Sequence, residues 1–238
     1  MKVLILGHDG MLGSTVFKYL TNKVDNIESL QKEHRWPSES FKSELQNFDG
    51  DYIINCIGAI PQRTNDFKVN YELPIWLDEN TDCRVIHQDT DSWKEKDEYS
   101  LSKIRASNYL ALHGSRTKMI KTCVIGYDRG KVSLLDWFLS SEGEVYGYTE
   151  CYWNGNTTLQ WAEQCVELIN NWEKYAKTTV LSTKCISKYD LLNIIKEVYE
   201  KKIVIHKDST VKINRCLRGH IKVPTIKEQL QKLKGFYE

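Results

Sequence analysis

The sequence predicts an α/β protein built on a doubly wound parallel sheet. Short apolar runs alternate with longer amphipathic stretches over the first half of the chain, which is the pattern of repeated βαβ units. The runs at residues 3–6 and 52–57 are nearly all apolar, as expected of strands that helices cover on both faces. With 238 residues, of which 41% are hydrophobic and 27% charged, the chain is large enough for one globular core with at most two lobes.

The first predicted domain covers residues 1–132 and alternates strands with helices. Its strands are expected at residues 3–6, 52–55, 84–87 and 119–124. Its helices are expected from about residue 11, over residues 66–79 and from about residue 97. The pattern also allows later strands to return to this sheet.

The second predicted domain covers residues 133–238 and is a smaller α/β lobe. Its predicted helices lie at residues 134–139 and 159–171, from the capping sequence Ser187 to Asp190 onward, and at residues 225–233. Its predicted strands lie at residues 178–181 and 203–206. Between the first two of these helices we expect a turn region rich in tyrosine and glycine.

Charge and hydropathy exclude several classes of protein. Lys and Arg number 33 against 32 Asp and Glu, a net charge of +1, so no overall field attracts the chain to nucleic acid or to an anionic membrane surface. The apolar runs are far shorter than the roughly 20 residues of a membrane-spanning helix. Because the first residues lack the apolar region and cleavage site of a secretory signal, we expect a cytoplasmic protein without nucleic-acid or membrane partners.

The seven cysteines are odd in number, scattered, and never form a CxxC pair. This usage favours buried, reduced thiols over a disulfide framework or a zinc site. No metal is expected.

Three glycines, Gly7, Gly10 and Gly13, mark the predicted turn from the first strand into the first helix. Glycines let a backbone approach a pyrophosphate closely, and the unpaired N–H groups at a helix N-terminus can bind it. We interpret the turn as a dinucleotide site. The alternative is a glycine turn that serves only tight packing.

Tyr99 and Lys103 lie four residues apart near the start of a predicted helix, and therefore on one face of it. An ammonium beside a phenol favours the phenolate, which suits the phenol to exchange a proton with a carbonyl or alcohol. Thr90 stands at the polar end of the preceding strand, where ligands of such sheets bind, and can hydrogen-bond the same oxygen. The alternative is a surface Tyr–Lys pair. His87, on that strand, is interpreted as a packed histidine.

Together these motifs resemble the extended short-chain dehydrogenase/reductase superfamily, whose fold is Rossmann-like. The resemblance rests on the three glycines, on Asn55-Cys-Ile-Gly58, on Asn70 with Pro74, and on Thr90, Tyr99 and Lys103. Later segments, among them residues 133–139 and 186–192, are similar to the branch that contains dTDP-4-dehydrorhamnose reductase and related nucleotide-sugar reductases. The likeness extends to about residue 217.

The resemblance implies NAD(P)H-dependent reduction of a 4-keto-deoxysugar linked to a nucleoside diphosphate, for polysaccharide or glycan biosynthesis. It implies an NAD(P)-binding first domain and a substrate-binding second lobe, and a homodimer is compatible with it. The implied catalytic residues are Thr90, Tyr99 and Lys103. The implied cofactor-binding residues are Gly7, Gly10, Met11, Leu12, Gly13, Asn55, Ile57, Gly58, Tyr99 and Lys103. The implied substrate-binding residues are Thr90, Asp91, Trp153, Arg215 and Arg218.

The sequence departs from this branch at three places. Only nine positions separate Thr90 from Tyr99, where the branch has a longer loop. Asp89 replaces a small polar residue, and a carboxylate that faces inward there opposes ionisation of a nearby phenol. In the region of residues 31–38 we expect no acidic residue to bind a ribose 2′-hydroxyl. We expect Lys32 and Arg35 to meet a 2′-phosphate there, which favours NADPH over NADH.

Two other functions stay open at this point. The same residues would serve an epimerase or dehydratase that holds NAD tightly and reoxidises it within each cycle. The shortened segment before Tyr99 also leaves room for a non-catalytic, NADP-binding regulatory protein of the same fold.

Overall fold

The computed structural model describes residues 1–30, 34–92 and 94–238 and divides the chain into two compact units. The first unit comprises Met1–Lys121 and Ala162–Thr179, and the second comprises Thr122–Trp161 and Val180–Glu238. The predicted assignment of cofactor binding to one domain and substrate binding to the other stays a prediction. None of the helices in the described ranges is both long enough and apolar enough to cross a membrane.

Within the described residues the chain forms eleven strands and eight α-helices. The strands are β1 (Lys2–Leu6), β2 (Asn26–Ser29), β3 (Tyr52–Asn55), β4 (Arg84–Asp89), β5 (Thr117–Lys121), β6 (Val124–Ile125), β7 (Glu144–Trp153), β8 (Asn156–Thr157), β9 (Thr178–Val180), β10 (Ile186–Ser187) and β11 (Val204–Asn214). The helices are α1 (Met11–Leu20), α2 (Glu39–Gln46), α3 (Val69–Asn80), α4 (Glu98–His113), α5 (Leu134–Ser140), α6 (Thr158–Asn170), α7 (Lys188–Val198) and α8 (Ile226–Tyr237).

The first unit is built on a six-stranded parallel sheet in the order β2-β1-β3-β4-β5-β9. This arrangement confirms the predicted doubly wound sheet, since the chain builds outward from β1 in both directions. The register pairs Leu6 with Asn55, and Asn55 with His87. The carboxyl ends of β1, β3 and β4 therefore lie side by side, at the edge where sheets of this type bind ligands.

Helices cover the sheet of the first unit through a continuous apolar core. Leu4 and Ile53 from the strands pack with Phe41 of α2 and with Leu73 and Leu77 of α3, all of them nearly fully buried. Helix α2 was not predicted, because its apolar face consists of only two buried residues, Phe41 and Leu45. A helix this short leaves little periodicity to detect.

The second unit contains a three-stranded sheet, β10-β7-β11, and a two-stranded one, β6-β8. The prediction of a turn region before α6 is wrong, because Glu144–Trp153 form the central strand β7. Its residues alternate, with Val145 and Trp153 buried and Tyr146 and Tyr152 exposed, as a strand with one covered face requires. Strand β11 is longer than predicted because it pairs along β7 as far as Asn214.

The predicted strand at residues 119–124 is also divided, into β5 of the six-stranded sheet and β6 of the two-stranded sheet. The division falls at residues 122–123, where the first unit gives way to the second.

A disulfide joins Cys185 and Cys216 in the second unit, so the expectation that all cysteines are reduced is wrong for this pair. The two are separated by 31 positions, but β10 and β11 flank β7 on either side and both reach Tyr152. Cys185 precedes β10 and Cys216 follows β11, so the sheet brings their Cα atoms to 5.8 Å. The other five cysteines are free thiols.

Candidate active site

The glycine turn between β1 and α1 requires glycine at two of its three positions. Gly7 has a φ of +77°, in the left-handed region that side chains disfavour. A Cβ at Gly13 would lie 2.0 Å from the carbonyl oxygen of Gly7, so only glycine fits there. The N–H of Gly10 closes the turn by donating to that same carbonyl at 2.9 Å. Backbone conformation therefore explains Gly7, and packing explains Gly13.

Gly10 is different, because the packing of the chain does not require glycine at this position. Its φ of −79° and ψ of 170° are open to any residue, and a Cβ would meet only the Gly7 oxygen, at 3.4 Å. Gly10 is the N-cap of α1, whose first turn contains no acidic residue. The first N–H groups of a helix have no partner within it and attract anions. Space and charge at this end of α1 thus fit the pyrophosphate of a dinucleotide.

The loop after β3 lies against this turn. Asn55 is fully buried, and its Oδ1 accepts a hydrogen bond from the N–H of Ile57 at 3.0 Å. A Cβ at Gly7 would lie 3.1 Å from Cγ1 of Ile57. The fold thereby brings together two motifs that are about fifty positions apart, and both were predicted to bind the cofactor.

His87 on β4 is a buried histidine, as predicted. It is 2% exposed, and its Nδ1 accepts from the Nδ2 of Asn55 at 3.2 Å, so the ring proton is on Nε2. Burial is the main cause that holds the pKa of His87 well below its usual value, and the charge of Lys103 adds to it. The ring is therefore neutral at physiological pH.

Lys103 on α4 is buried, with 5% of the residue exposed. A Cβ at Gly58 would lie 3.2 Å from its Nζ, which shows that the amine fills the space beside that glycine. Burial lowers the pKa of Lys103 to about 8, and the charge of Asp89 opposes this shift. The pair formed with Tyr99 is therefore not a surface Tyr–Lys pair, because its lysine is buried in the first unit.

Tyr99 lies one helical turn before Lys103 and is half-buried. The Tyr99 ring packs edge-on against Phe67, with the ring centroids 5.7 Å apart. Asp97 caps α4 by accepting from the N–H of Ser100 at 2.9 Å. This cap fixes the first turn of the helix, and with it the position of Tyr99.

Asn70 on α3 connects the loop after β3 to α4. Its Oδ1 accepts from the N–H of Ala59 at 2.7 Å, and its Nδ2 donates to the Ala59 carbonyl at 3.0 Å and to Oγ of Ser102 at 3.1 Å. Ala59 follows Gly58 and Ser102 precedes Lys103, so the Asn70 side chain links the residues next to this glycine and this lysine. The sequence marks Asn70 only through the resemblance, since a single amide on a helix has no periodic signal.

Thr90 follows β4 and is 5% exposed. Its N–H donates to Oδ1 of Asp89 at 2.7 Å, and its Oγ1 accepts from the N–H of Ser92 at 3.0 Å. Because the oxygen accepts from this amide, the O–H proton points elsewhere and can be donated to another group. Asp91, the next residue, is also buried.

The remaining predicted residues lie elsewhere in the chain. Trp153 is 2% exposed within the second unit, where Nζ of Lys188 lies 4.9 Å from the centroid of its ring. Arg215 is half-buried and Arg218 exposed, in the same unit, and Arg35 is exposed in the first. Lys32 lies outside the described residues. In the part of the chain that the structure describes, no group of three or more His, Cys, Asp or Glu residues is arranged to hold a metal ion.

No family model and no curated protein matches the chain. Solved structures do match it over nearly its whole length. A dTDP-4-dehydrorhamnose reductase from Clostridium acetobutylicum is 17% identical, with a TM-score of 0.76 over 100% of this chain and 99% of that one. The dTDP-4-dehydrorhamnose reductase from Yersinia enterocolitica is 14% identical, with a TM-score of 0.78 over 100% and 99%.

A third structure, dTDP-4-dehydrorhamnose reductase from Bacillus anthracis in complex with NADP, is 13% identical, with a TM-score of 0.77 over 98% and 99%. Likeness at this level of identity establishes architecture. The chain therefore has the fold of these dTDP-4-dehydrorhamnose reductase structures.

Proposed function

We propose that this chain is an NADPH-dependent reductase of a 4-keto-deoxysugar linked to a nucleoside diphosphate. The observation that carries the proposal is the buried amine of Lys103, which lies beside Gly58 and one helical turn from Tyr99. Burial of an ammonium is costly, and in this proposal the buried charge favours the ionised form of the Tyr99 phenol. Proteins of the same fold are named as reductases of such a sugar, and one is bound to NADP.

The cofactor-binding residues of the proposal belong to the first unit. The first N–H groups of α1, with the space at Gly10, would bind the pyrophosphate. Asn55, Ile57 and Gly58 would border the nucleosides, and Lys103 would donate to the nicotinamide ribose. Arg35 and Lys32 would bind a ribose 2′-phosphate, as expected from the sequence, which is the reason to prefer NADPH over NADH. When bound, NADPH supplies a hydride to the keto carbon.

Tyr99 supplies the proton. As the keto carbon is reduced, the Tyr99 hydroxyl transfers its proton to the keto oxygen, so the substrate gains one hydride and one proton and becomes an alcohol. The Lys103 ammonium stabilises the phenolate that remains until solvent returns a proton to it. Thr90 donates a hydrogen bond to the same oxygen.

Substrate binding is proposed for Thr90, Asp91, Trp153, Arg215 and Arg218. The two arginines would bind the diphosphate, because guanidinium groups form paired, charge-assisted hydrogen bonds with phosphate oxygens. A cytoplasmic location and a homodimeric assembly stay predictions.

The test follows NADPH oxidation with a panel of 4-keto nucleotide sugars, for the parent and for Tyr99→Phe. Loss of a general acid is expected to lower kcat by about 100-fold or more while NADPH still binds. Tyr109→Phe is the matched control, because Tyr109 lies on the same helix and its hydroxyl donates to the exposed carboxylate of Glu79. Its kcat should equal that of the parent.

Three outcomes would contradict the proposal. If no keto sugar oxidises NADPH, or if Tyr99→Phe turns over as fast as the parent, the chain is not a reductase of this type. If NAD remains bound through purification and is reoxidised within each turnover, the chain is an epimerase or dehydratase instead.

A further inference from the structure

Asp89 is a buried carboxylate in the sheet of the first unit, with 2% of the residue exposed. Its Oδ2 lies 3.2 Å from Nζ of Lys121 and accepts from Oγ of Ser107 at 2.9 Å. Its Oδ1 accepts from the N–H of Thr90 at 2.7 Å. Groups from β5, from α4 and from the residue after β4 therefore fix this carboxylate in one orientation.

The same carboxylate faces the side of α4 that carries Lys103. Ser107, which donates to Asp89, lies four residues after Lys103 and therefore on the same face of the helix. Asp89 and Lys103 are both buried, so solvent screens their attraction little. In agreement, the charge of Asp89 raises the pKa of Lys103 against the larger effect of burial.

Three other titratable groups lie near this pair in the described part of the chain. His87, on β4, is held neutral and contributes no charge. Lys121, at the end of β5, is 22% exposed and shares the carboxylate. Tyr99 is on α4 itself, and Asp89 provides the negative charge. Asn70 and Gly58, which also border the amine, carry no charge.

We propose that Asp89 is a positioning residue of the reductase: held by Lys121 and Ser107, its carboxylate keeps the buried Lys103 amine charged and in place beside Gly58. The proposal rests on the function proposed above, because that function needs the charged amine. Lys121 neutralises part of the carboxylate's field, so Asp89 and Lys121 act on Lys103 in opposite directions.

The direct test is an NMR titration of the full-length protein labelled with ¹³C at the lysine Cε. The Lys103 signal is identified by its absence in Lys103→Arg. In the parent the midpoint is expected at about 8. Asp89→Asn should lower the midpoint by about one pH unit, Asp89→Glu should restore most of it, and Lys121→Gln should raise it.

A kinetic test complements the titration. A midpoint lower by about one unit reduces the charged fraction of Lys103 about tenfold at pH 9 but less than about twofold at pH 6.5. The kcat of Asp89→Asn, relative to the parent, should therefore be much lower at pH 9 than at pH 6.5. A purely structural role of Asp89 would lower kcat equally at both pH values, and that result would overturn the proposal.

The two tests separate this inference from the proposed function. An unmoved or raised midpoint in Asp89→Asn overturns the inference, even if the parent reduces keto sugars. If Asp89→Asn does not fold, an unmoved or lowered midpoint in Lys121→Gln overturns it instead. If the Lys103 midpoint shifts as predicted in the variants but the parent has no reductase activity, the effect of Asp89 on Lys103 is supported and the proposed function is refuted.

Discussion

Lys103 places an amine inside the first unit, and its burial opposes folding at neutral pH. The pKa of Lys103 falls from 10.5 to about 8, which corresponds to about 3 kcal/mol at 1.36 kcal/mol per pH unit. Below pH 8 both the native and unfolded chains hold this proton, and the full cost applies. Between pH 8 and 10.5 only the unfolded chain holds it, so native stability rises with pH.

Lys103→Met should therefore be more stable than the parent at pH 7, by about 3 kcal/mol, because methionine fills a similar volume without a charge. The difference should shrink as the pH rises from 8 towards 10.5. Denaturant unfolding at pH 7, 9 and 10.5 measures it, with the exposed Lys222→Met as the control that should show no such dependence. Equal stabilities of Lys103→Met and the parent at pH 7 would contradict this account.

Substitutions at Gly10 and Gly13, which lie in one turn, are expected to impair different properties of the protein. Gly10→Ala should fold normally and weaken NADPH binding by about tenfold, because its methyl occupies the space beside the helix N-terminus. Gly13→Ala should lose stability first, because its Cβ would lie 2.0 Å from a backbone oxygen. Thermal unfolding and NADPH fluorescence titration distinguish the two. Unchanged NADPH affinity in a folded Gly10→Ala would argue against the cofactor site.

The sequence could predict two kinds of candidate residue. One kind has its partner nearby in the sequence, and the other directly follows a predicted strand. The Tyr99–Lys103 pair is of the first kind, and the glycine turn is of the second. The contacts of Asp89 with Ser107 and Lys121 are of neither kind, because they depend on the pairing of β4 with β5 and on the rotation of α4. The sequence shows a carboxylate before Thr90 but not which charges surround it.

Helix starts were predictable because their signals are local. Ser187 accepts from the N–H of Asp190 at 3.0 Å, and Asp190 in turn accepts from the N–H of Ser187, as the capping sequence predicts. Strand β7 was missed although its residues alternate, because tyrosine and glycine together suggested a turn. Close packing, not a turn, requires glycine at position 147, since a Cβ there would lie 2.9 Å from Cα of Tyr189.

Loss of the cap on α7 should have a small, measurable effect. Ser187→Ala removes a side-chain acceptor at the helix start and should cost about 1 kcal/mol. In a protein of this size, such a loss lowers Tm by about 2–4 °C. The exposed Ser209→Ala on β11 is the control and should leave Tm unchanged. An unchanged Tm in Ser187→Ala would mean that another group replaces the cap.

The disulfide should stabilise the second unit by restricting its unfolded chain. For a loop closed by residues 31 positions apart, the chain-entropy relation gives about 3–4 kcal/mol. Reductant should therefore lower the free energy of unfolding of the parent by about that amount. The double variant Cys185→Ser, Cys216→Ser should unfold as the reduced parent does and show no response to reductant. A parent insensitive to reductant would contradict the prediction.

The return of Ala162–Thr179 to the first unit has a consequence for how the protein is made. Strand β9 borders β5 in the sheet, and the N–H of Met119 donates to the carbonyl of Lys177 at 2.7 Å. During synthesis, the polypeptide that has emerged as far as residue 132 still lacks this outermost strand and leaves β5 as a bare edge. Strand β9 follows the whole of the second unit's first segment, Thr122–Trp161, in the chain. The sheet of the first unit is therefore completed only after that segment has left the ribosome, and the first unit cannot finish folding before synthesis of the second has begun.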